Sequence, residues 1–237
     1  MRTGANYLPE APLEPPIDNL VRFGPTGLMA TRYRVTYIGP LEIRNDGSDS
    51  INLNLLVALS DFSNNKVYGR ATDDSILIKR AMDQINEAFP NTFCSTSPPT
   101  QLIIATWIDY IKTSSNQGSN FQAIVVTNGS ITFGIALYVE VSITTATTGI
   151  DSIVNGTYGD ADPSFFPFGT DIMDAPSMML NSNIPGTYIF SLNDKPPDPC
   201  TEPSQPDCSV VYKAKLLKMA CETLKINDEN LPAPCHN

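Results

Sequence analysis

The stretch from Gly118 to Tyr138, GSNFQAIVVTNGSITFGIALY, constrains the fold more than any other part of the chain. Two apolar runs flank the pair Asn128-Gly129, which is the strongest short-range signal for a β-hairpin. A two-residue type I′ turn requires positive φ angles at both central residues, and Asn and Gly tolerate these angles best. Neither alternating face of the runs is clearly polar. The sequence therefore predicts a hairpin inside a sheet that is covered on both faces.

Strand signals also lie on both sides of this hairpin. Three further segments have the alternation or the apolar content of strands: residues 30–39, 51–60 and 101–111. Near the end of the β region, Tyr188, Phe190 and Leu192 alternate after a Pro-Gly turn. The run that begins after Val141 is rich in Thr, Gly and Asp, and it carries few strand signals.

Two segments have the periodicity of an α-helix. Asp73, Asp74 and Ser75 supply caps and negative charge for the start of the first helix, and Pro90 ends it. Its apolar stripe consists of Ile78, Met82, Ile85 and Phe89. The second helix lies within residues 209–226, and its stripe consists of Val210, Ala214, Leu217, Cys221 and Leu224.

These patterns predict a mainly β protein with two helices, in the α+β class. We expect antiparallel sheets arranged like a β-sandwich, with one helix packed on them. The expected organisation is an extended Pro-rich arm over residues 1–19, a β domain over residues 20–195, and a Pro- and Cys-rich C-terminal extension with a short helix over residues 196–237. The arm is expected to lie along the domain or along a neighbouring molecule.

The cysteines favour disulfide bonds over a metal site. There are five: Cys94, Cys200, Cys208, Cys221 and Cys235. The chain has no CxxC motif, and its single histidine, His236, is the next-to-last residue, which does not suit a structural zinc site. Cysteines clustered in a Pro-rich tail are typical of disulfides, with free buried thiols as the alternative. Because the number is odd, one cysteine is left over or pairs with another chain.

Charge and hydropathy exclude several classes of function. The net charge of −10 disfavours nucleic-acid binding, because an acidic surface repels phosphate groups. No stretch approaches the roughly 20 apolar residues that a membrane-spanning helix needs. The first residues contain no apolar core of a signal peptide, so a secreted protein of this sequence has a signal that is absent from this chain.

Two tripeptides are acceptors for N-linked glycans if the chain is exported. They are Asn128-Gly129-Ser130 and Asn155-Gly156-Thr157. A hairpin tip points into solvent, which suits a glycan at Asn128. The alternative interpretation is that both are ordinary Asn-Gly turns without sugars.

Few residues suggest catalysis or metal binding. Asp160, Asp162, Asp171 and Asp174 are candidate carboxylates for a hydrolase, which needs two of them facing each other across a cleft. The turns RNDGSDS (44–50) and YGDADPS (158–164) supply oxygens suited to calcium, but neither has EF-hand spacing, so solvated Asx turns are favoured. The chain has no GxGxxG or P-loop motif. We therefore predict no cofactor and no catalytic residue.

The order of these segments resembles the nidogen-type extracellular domain. That family has a Tyr-x-Arg strand end before a helix, then a Thr-Trp strand, then Asn-Phe-Gln-Ala before a Gly turn, and a closing Ser-Asn, Pro-Gly and Phe. The matching residues are Tyr68-Gly69-Arg70, Thr106-Trp107, Asn120 to Ala123, Asn128-Gly129, Ser182-Asn183, Pro185-Gly186 and Phe190. The resemblance extends from Leu55 to Asp194.

This resemblance implies a secreted or cell-surface module of extracellular matrix, coats or adhesion, without catalysis. It implies export, and hence glycans at Asn128 and Asn155. The partners expected are extracellular proteins, including copies of this chain, because the Pro-rich arm and the odd cysteine suggest contact with a neighbour. Two alternatives stay open: a secreted carbohydrate-active hydrolase that uses the loop carboxylates, and a proteolytic fragment of a larger mosaic cell-surface protein.

Overall fold

A computed structural model of the chain describes residues 6–7, 16–58, 65–166 and 171–200. These residues form twelve strands and one α-helix, α1 (Ser75–Ala88). The strands are β1 (Asn6–Tyr7), β2 (Pro16–Phe23), β3 (Leu28–Val35), β4 (Pro40–Arg44), β5 (Ser50–Val57), β6 (Lys66–Thr72), β7 (Gln101–Tyr110), β8 (Ser119–Thr127), β9 (Thr132–Glu140), β10 (Thr147–Val154), β11 (Thr157–Asp162) and β12 (Thr187–Ser191).

The strands make two six-stranded antiparallel sheets. Sheet 1 has the order β1-β6-β7-β8-β9-β12, and sheet 2 has the order β11-β10-β5-β4-β3-β2. One buried apolar cluster contains residues from both sheets, including Leu41 and Leu53 of sheet 2 and Ile103 and Val125 of sheet 1. The sheets therefore pack face to face, as expected of a mainly β, sandwich-like protein.

Aromatic side chains of sheet 1 cross the interface between the two sheets. Trp107 and Phe121 stack with their ring centroids 4.9 Å apart. The indole nitrogen of Trp107 donates to the carbonyl of Thr36 at 2.8 Å, and the Tyr138 hydroxyl donates to the carbonyl of Leu55 at 3.0 Å. One partner, Leu55, belongs to sheet 2 and the other, Thr36, directly follows its strand β3, so these hydrogen bonds help to fix how the sheets face each other.

Helix α1 covers part of the outer face of sheet 1. Its N-cap is Asp74, whose side chain accepts hydrogen bonds from the backbone N–H groups of Ile76 and Leu77. The helix ends before Pro90, and Ala81 and Ile85 are buried in a second apolar cluster with residues of sheet 1. The first predicted helix is confirmed. The second predicted helix and the C-terminal extension beyond Cys200 lie outside the residues that the structure describes.

The hairpin β8–β9 lies inside sheet 1 and is covered on both faces, as predicted. Its predicted type I′ turn is wrong. Thr127 pairs with Thr132, so four residues connect the strands, and Gly129 has a positive φ of 87° whereas Asn128 does not. The Asn128 side-chain oxygen accepts from the backbone N–H groups of Ser130 and Ile131, each at 3.0 Å, and this Asx turn replaces the expected geometry.

The second Asn-Gly pair makes the two-residue turn instead. Val154 pairs with Thr157, and the residues between them, Asn155 and Gly156, have φ angles of 51° and 75°. This turn joins β10 to β11, within the run that carries few strand signals. Those strands lie at one end of sheet 2, and their Thr, Gly and Asp residues interrupt the apolar periodicity that marks the interior strands.

Strands also occur in the predicted N-terminal arm. Asn6 and Tyr7 form β1, which pairs with β6 at one edge of sheet 1. Strand β2 begins at Pro16 and pairs with β3 at one edge of sheet 2. Both of these strands are extended, as expected of the arm. Strand β1 belongs to sheet 1, and strand β2 belongs to sheet 2.

Candidate functional site

The outer face of sheet 2 carries a row of polar side chains that runs across four strands. The register pairs Arg34 on β3 with Glu42 on β4, Glu42 with Asn52 on β5, and Asn52 with Asp151 on β10. Paired residues of neighbouring antiparallel strands point to the same face, so these four side chains stand side by side. We call this set the polar row.

A carboxylate lies between two arginines at one end of the polar row. The Nε atom of Arg34 donates to the Oε2 atom of Glu42 at 2.7 Å, and the Nη1 atom of Arg44 lies 3.8 Å from its Oε1 atom. Glu42 is only 8% exposed. A nearly buried carboxylate requires such partners, and their geometry fixes the orientation of the guanidinium of Arg34.

The other end of the polar row is a hydrogen-bonded cluster around Asp151. The Nδ2 atoms of Asn52 and Asn54 donate to its two oxygens, each at 2.6 Å, and the Tyr158 hydroxyl donates at 3.3 Å. Asp151 is 7% exposed and Asn54 is 3% exposed, whereas Tyr158 is 60% exposed. Partial desolvation, and then the charge of Asp151, raise the pKa of the Tyr158 phenol above its usual value.

These groups line a cavity of about 390 Å³ on the outer face of sheet 2. Its polar lining comes mainly from the polar row with Asn54 and Ser50, and its apolar lining comes from five residues. These are Ile38, Pro40, Val57, Ile153 and Tyr158. The volume is in the range of small-ligand sites, about 300–1,000 Å³.

A second concave surface lies beside α1 on the opposite side of the sandwich. This groove, of about 400 Å³, has a floor of half-buried aliphatic side chains, including Ile104, Ile124 and Leu137. Arg70 of β6 and Arg80 of α1 also line it. The helix leaves this part of sheet 1 uncovered, and we call it the helix groove.

Cys94 and Cys200 form a disulfide, with their Cα atoms 5.9 Å apart. It joins the segment that follows α1 to the segment that follows β12, and the backbone N–H of Cys200 also donates to the carbonyl of Asn91 at 2.6 Å. The remaining predicted disulfide cysteines, Cys208, Cys221 and Cys235, lie outside the described part of the chain. The sequence did not indicate which cysteine pairs with Cys94.

The two glycan acceptors have different surroundings. The side chain of Asn128 is half-buried, and its Nδ2 atom donates to the Oγ atom of Ser97 at 3.0 Å. Asn155, Gly156 and Thr157 are all exposed at the tip of the β10–β11 hairpin. Occupancy of either acceptor remains a prediction.

The four candidate hydrolase carboxylates are exposed, and the charge of Asp160 is close enough to Tyr158, at the cavity edge, to contribute to its raised pKa. Asp160 and Asp162 belong to β11, and the Oδ1 atom of Asp162 accepts from the backbone N–H of Ser164. Asp171 accepts from the backbone N–H of Met173 and caps a short 3₁₀ helix that contains Asp174. None of the four lines the cavity or the helix groove.

The turn at residues 44–50 has the bonding of an Asx turn. The Asn45 side-chain oxygen accepts from the backbone N–H groups of Gly47 and Asp49, and Asp46 pairs with Arg32 at 2.8 Å. Across the described ranges, no three side chains of His, Cys, Asp or Glu are grouped as metal ligands. No helix among these residues has the length and apolar character needed to cross a membrane.

Sequence reasoning missed the polar row and the cluster around Asp151. One available signal was in β5, where Asn52 and Asn54 alternate with the buried residues Ile51, Leu53 and Leu55. Two amides in alternate positions of a buried strand lie on one face. Their partners Glu42 and Asp151 are distant in sequence, so only the pairing of β4, β5 and β10 brings them together.

Comparisons with known proteins agree on one family. The model of the nidogen-like domain matches residues 53–194, more than half of the 237-residue chain. Alpha-tectorin of Mus musculus and alpha-tectorin of Homo sapiens are each 28% identical to this chain in an alignment 158 residues long, and each match covers 59% of this chain. The match covers 7% of the length of each relative. No solved structure matches the chain significantly.

Proposed function

Because this chain belongs to the nidogen-like domain family, we propose that it acts as a non-enzymatic, matrix-type module outside the cell and engages other proteins there. The family match over residues 53–194 is the observation that carries this proposal. The disulfide between Cys94 and Cys200 supports it, because such bonds persist mainly in oxidising compartments.

The partner surface that we propose is the helix groove. Its aliphatic floor offers apolar area for burial, and Arg70 and Arg80 add positive charge at its walls. Ile184, which is 52% exposed, extends the apolar surface at one end. An apolar centre with arginine is the composition that protein–protein interfaces favour.

The partner that we propose for this surface is a second copy of the chain. The chain has a net charge of −10, and Arg80 beside the apolar floor supplies a positive charge that attracts an acidic surface. Another copy of the chain is acidic overall, with the same net charge of −10. Self-assembly through the helix groove is therefore the specific form of protein binding that we propose.

Sedimentation velocity and native mass spectrometry on the full, secreted chain test this proposal. We expect assembly that increases with protein concentration and that Arg80→Glu weakens, since the substitution reverses a charge in the groove. Lys79→Glu is the matched control: it makes the same charge change on the same helix, where Lys79 pairs with Asp83 outside the groove. Assembly that responds equally to both substitutions, or a monomer at every concentration, overturns self-assembly through this surface.

Thiol labelling tests the extracellular assignment separately. Protein taken from its natural source is expected to carry the bond between Cys94 and Cys200. If both thiols in that material react with the label before reduction, the extracellular role fails regardless of the assembly result.

A further inference from the structure

The outer face of sheet 2 presents hydrogen-bond donors and acceptors side by side in fixed positions. The guanidinium of Arg34 is a donor held by Glu42, and the cluster around Asp151 supplies amide and carboxylate oxygens. Glu42 and Asp151, which hold these donors and acceptors in place, are nearly buried, so the groups are ordered before any ligand binds. Such an arrangement costs little additional ordering when a ligand binds.

The amides of this face have capacity left for a ligand. Asn52 and Asn54 use their Nδ2 atoms on Asp151, and no hydrogen bond within the described ranges uses their oxygens. Neither oxygen belongs to the fully buried atoms that lack a partner; Asn52 is half-buried, and Asn54 is 3% exposed. Both side chains line the cavity. These two acceptors thus line the same cavity as the guanidinium of Arg34.

The apolar lining supplies a different kind of contact. The Tyr158 ring is 60% exposed at the β11 edge of the cavity, and Ile153 lies directly opposite it on β10. Pro40 and Ile38 lie toward the other edge. A ligand with polar edges and a flat C–H face contacts both the ring and the polar row.

The balance of charges on this face disfavours an ion as the ligand. Glu42 is already paired with arginine, and the Asp151 oxygens already accept three hydrogen bonds, so a cation lacks the six to eight oxygens that calcium needs. An anion such as phosphate is bound best by several donors, whereas here Glu42 stands beside Arg34 and Asp151 lies at the other end of the polar row. Hydroxyl groups, which donate and accept at once, match a face that offers both functions.

We propose that the cavity on the outer face of sheet 2 binds a neutral saccharide. The oxygens of Asn52 and Asn54 accept from its hydroxyl groups, Arg34 donates to them, and the ring of Tyr158 contacts its C–H face. The volume of about 390 Å³ suits a short saccharide rather than a folded partner. This site is independent of the proposed self-assembly, which uses the opposite face of the sandwich.

A glycan array that carries neutral, sialylated and sulfated saccharides, probed with the full chain, is the first test. We expect binding to neutral saccharides, and titration of the strongest one gives the affinity. Asn52→Ala is expected to weaken it about three- to tenfold, the loss of one hydrogen bond. Tyr158→Ala is expected to weaken it by a similar factor, about three- to tenfold, through the loss of ring contact.

Two further variants keep the test decisive. Tyr158→Phe retains the ring and is expected to keep most of the affinity that Tyr158→Ala loses. Val139→Ala, an exposed position of sheet 1, is the control and should bind like the wild type. Tyr158 is an exposed side chain at a sheet edge, so its variants report on binding even if Asn52→Ala fails to fold. No neutral ligand on the array, a preference for charged glycans, or unchanged binding by Asn52→Ala and Tyr158→Ala each overturns the proposal.

Discussion

Phe190 lies directly opposite Gly134 in the β9–β12 ladder, and its ring occupies the space above the glycine where a side chain would stand. The ring is held there by Phe165 and Phe166, whose centroids are 5.6 and 5.3 Å away. Phe190 is 3% exposed and has no room to move aside. The absence of a side chain at Gly134 is therefore a packing requirement of the interface between the sheets.

Gly134→Ala is expected to lower the free energy of unfolding by about 1–3 kcal/mol, because the added methyl group overlaps with the Phe190 ring. Urea unfolding measures the change. Gly159→Ala is the matched control, since a methyl group there meets the flexible Ser152 side chain at 3.1 Å and the Ser152 carbonyl at an ordinary contact distance of 3.7 Å. We expect a change within about 0.5 kcal/mol. Equal effects of the two substitutions would contradict the packing argument.

The bond between Cys94 and Cys200 closes a loop with a sequence separation of 106 residues. Replacing both cysteines with serine is expected to lower the free energy of unfolding by about 2–5 kcal/mol, because the unfolded chain gains freedom when a long loop opens. Urea unfolding without reductant measures this loss. Peptide mapping under non-reducing conditions is the check on the pairing: a peptide that joins Cys94 to any other cysteine would contradict it.

The two glycan acceptors are expected to behave differently in a chain expressed with a secretion signal. Thr157→Ala destroys the acceptor at the exposed tip of β10–β11 and is expected to remove one glycan, seen as a faster band on a gel. Ser130→Ala destroys the acceptor at Asn128. Because the Asn128 amide donates to Ser97, we expect this substitution to leave the band unchanged, which revises the expectation from the sequence that both acceptors carry glycans. Both substitutions spare the asparagines. A shift with Ser130→Ala alone would reverse this assignment.

Buried tyrosines are expected to make the fold sensitive to alkali. Burial raises the pKa of Tyr110 to about 12, and burial together with the neighbouring Tyr188 raises the pKa of Tyr138 well above its usual 10.0. The folded state keeps these phenols neutral while the unfolded chain ionises near pH 10. Stability is therefore full below pH 10 and declines as the pH rises toward the folded pKa, by about 1.4 kcal/mol per pH unit for each tyrosine.

Urea midpoints measured from pH 8 to pH 12 test this expectation. Tyr138→Phe removes one ionising group, so its stability is expected to fall less steeply with pH than that of the wild type. The slopes are compared rather than the absolute values, because the substitution also removes the hydrogen bond to Leu55. Identical slopes above pH 10 would show that Tyr138 ionises equally in the folded and unfolded states.

Much of sheet 1 was predictable because its signals are local. The N-cap at Asp74 and the stop at Pro90 bound α1 within a few residues. The runs on either side of Asn128 are apolar on both faces, which indicated interior strands. In the structure both faces of these strands are covered by apolar clusters. The turn between them was not predictable in detail, because the Asn128 side chain bonds to the backbone and to Ser97 in a way that the Asn-Gly pair alone does not specify.

Residue order by itself determined the class of the fold, its central hairpin, its first helix and its family resemblance, because these depend on periodicity, caps and turns within short segments. Tertiary structure alone decided that Cys94 meets Cys200, and that Arg34, Glu42, Asn52 and Asp151 stand in one row. The polar row depends on the pairing of β5 with β10, which are distant in the sequence. Asn54 and Asp151, which are in hydrogen-bond contact, are 97 residues apart. Such pairing is set by the whole sheet, so no local pattern near Asp151 records which side chains will neighbour it.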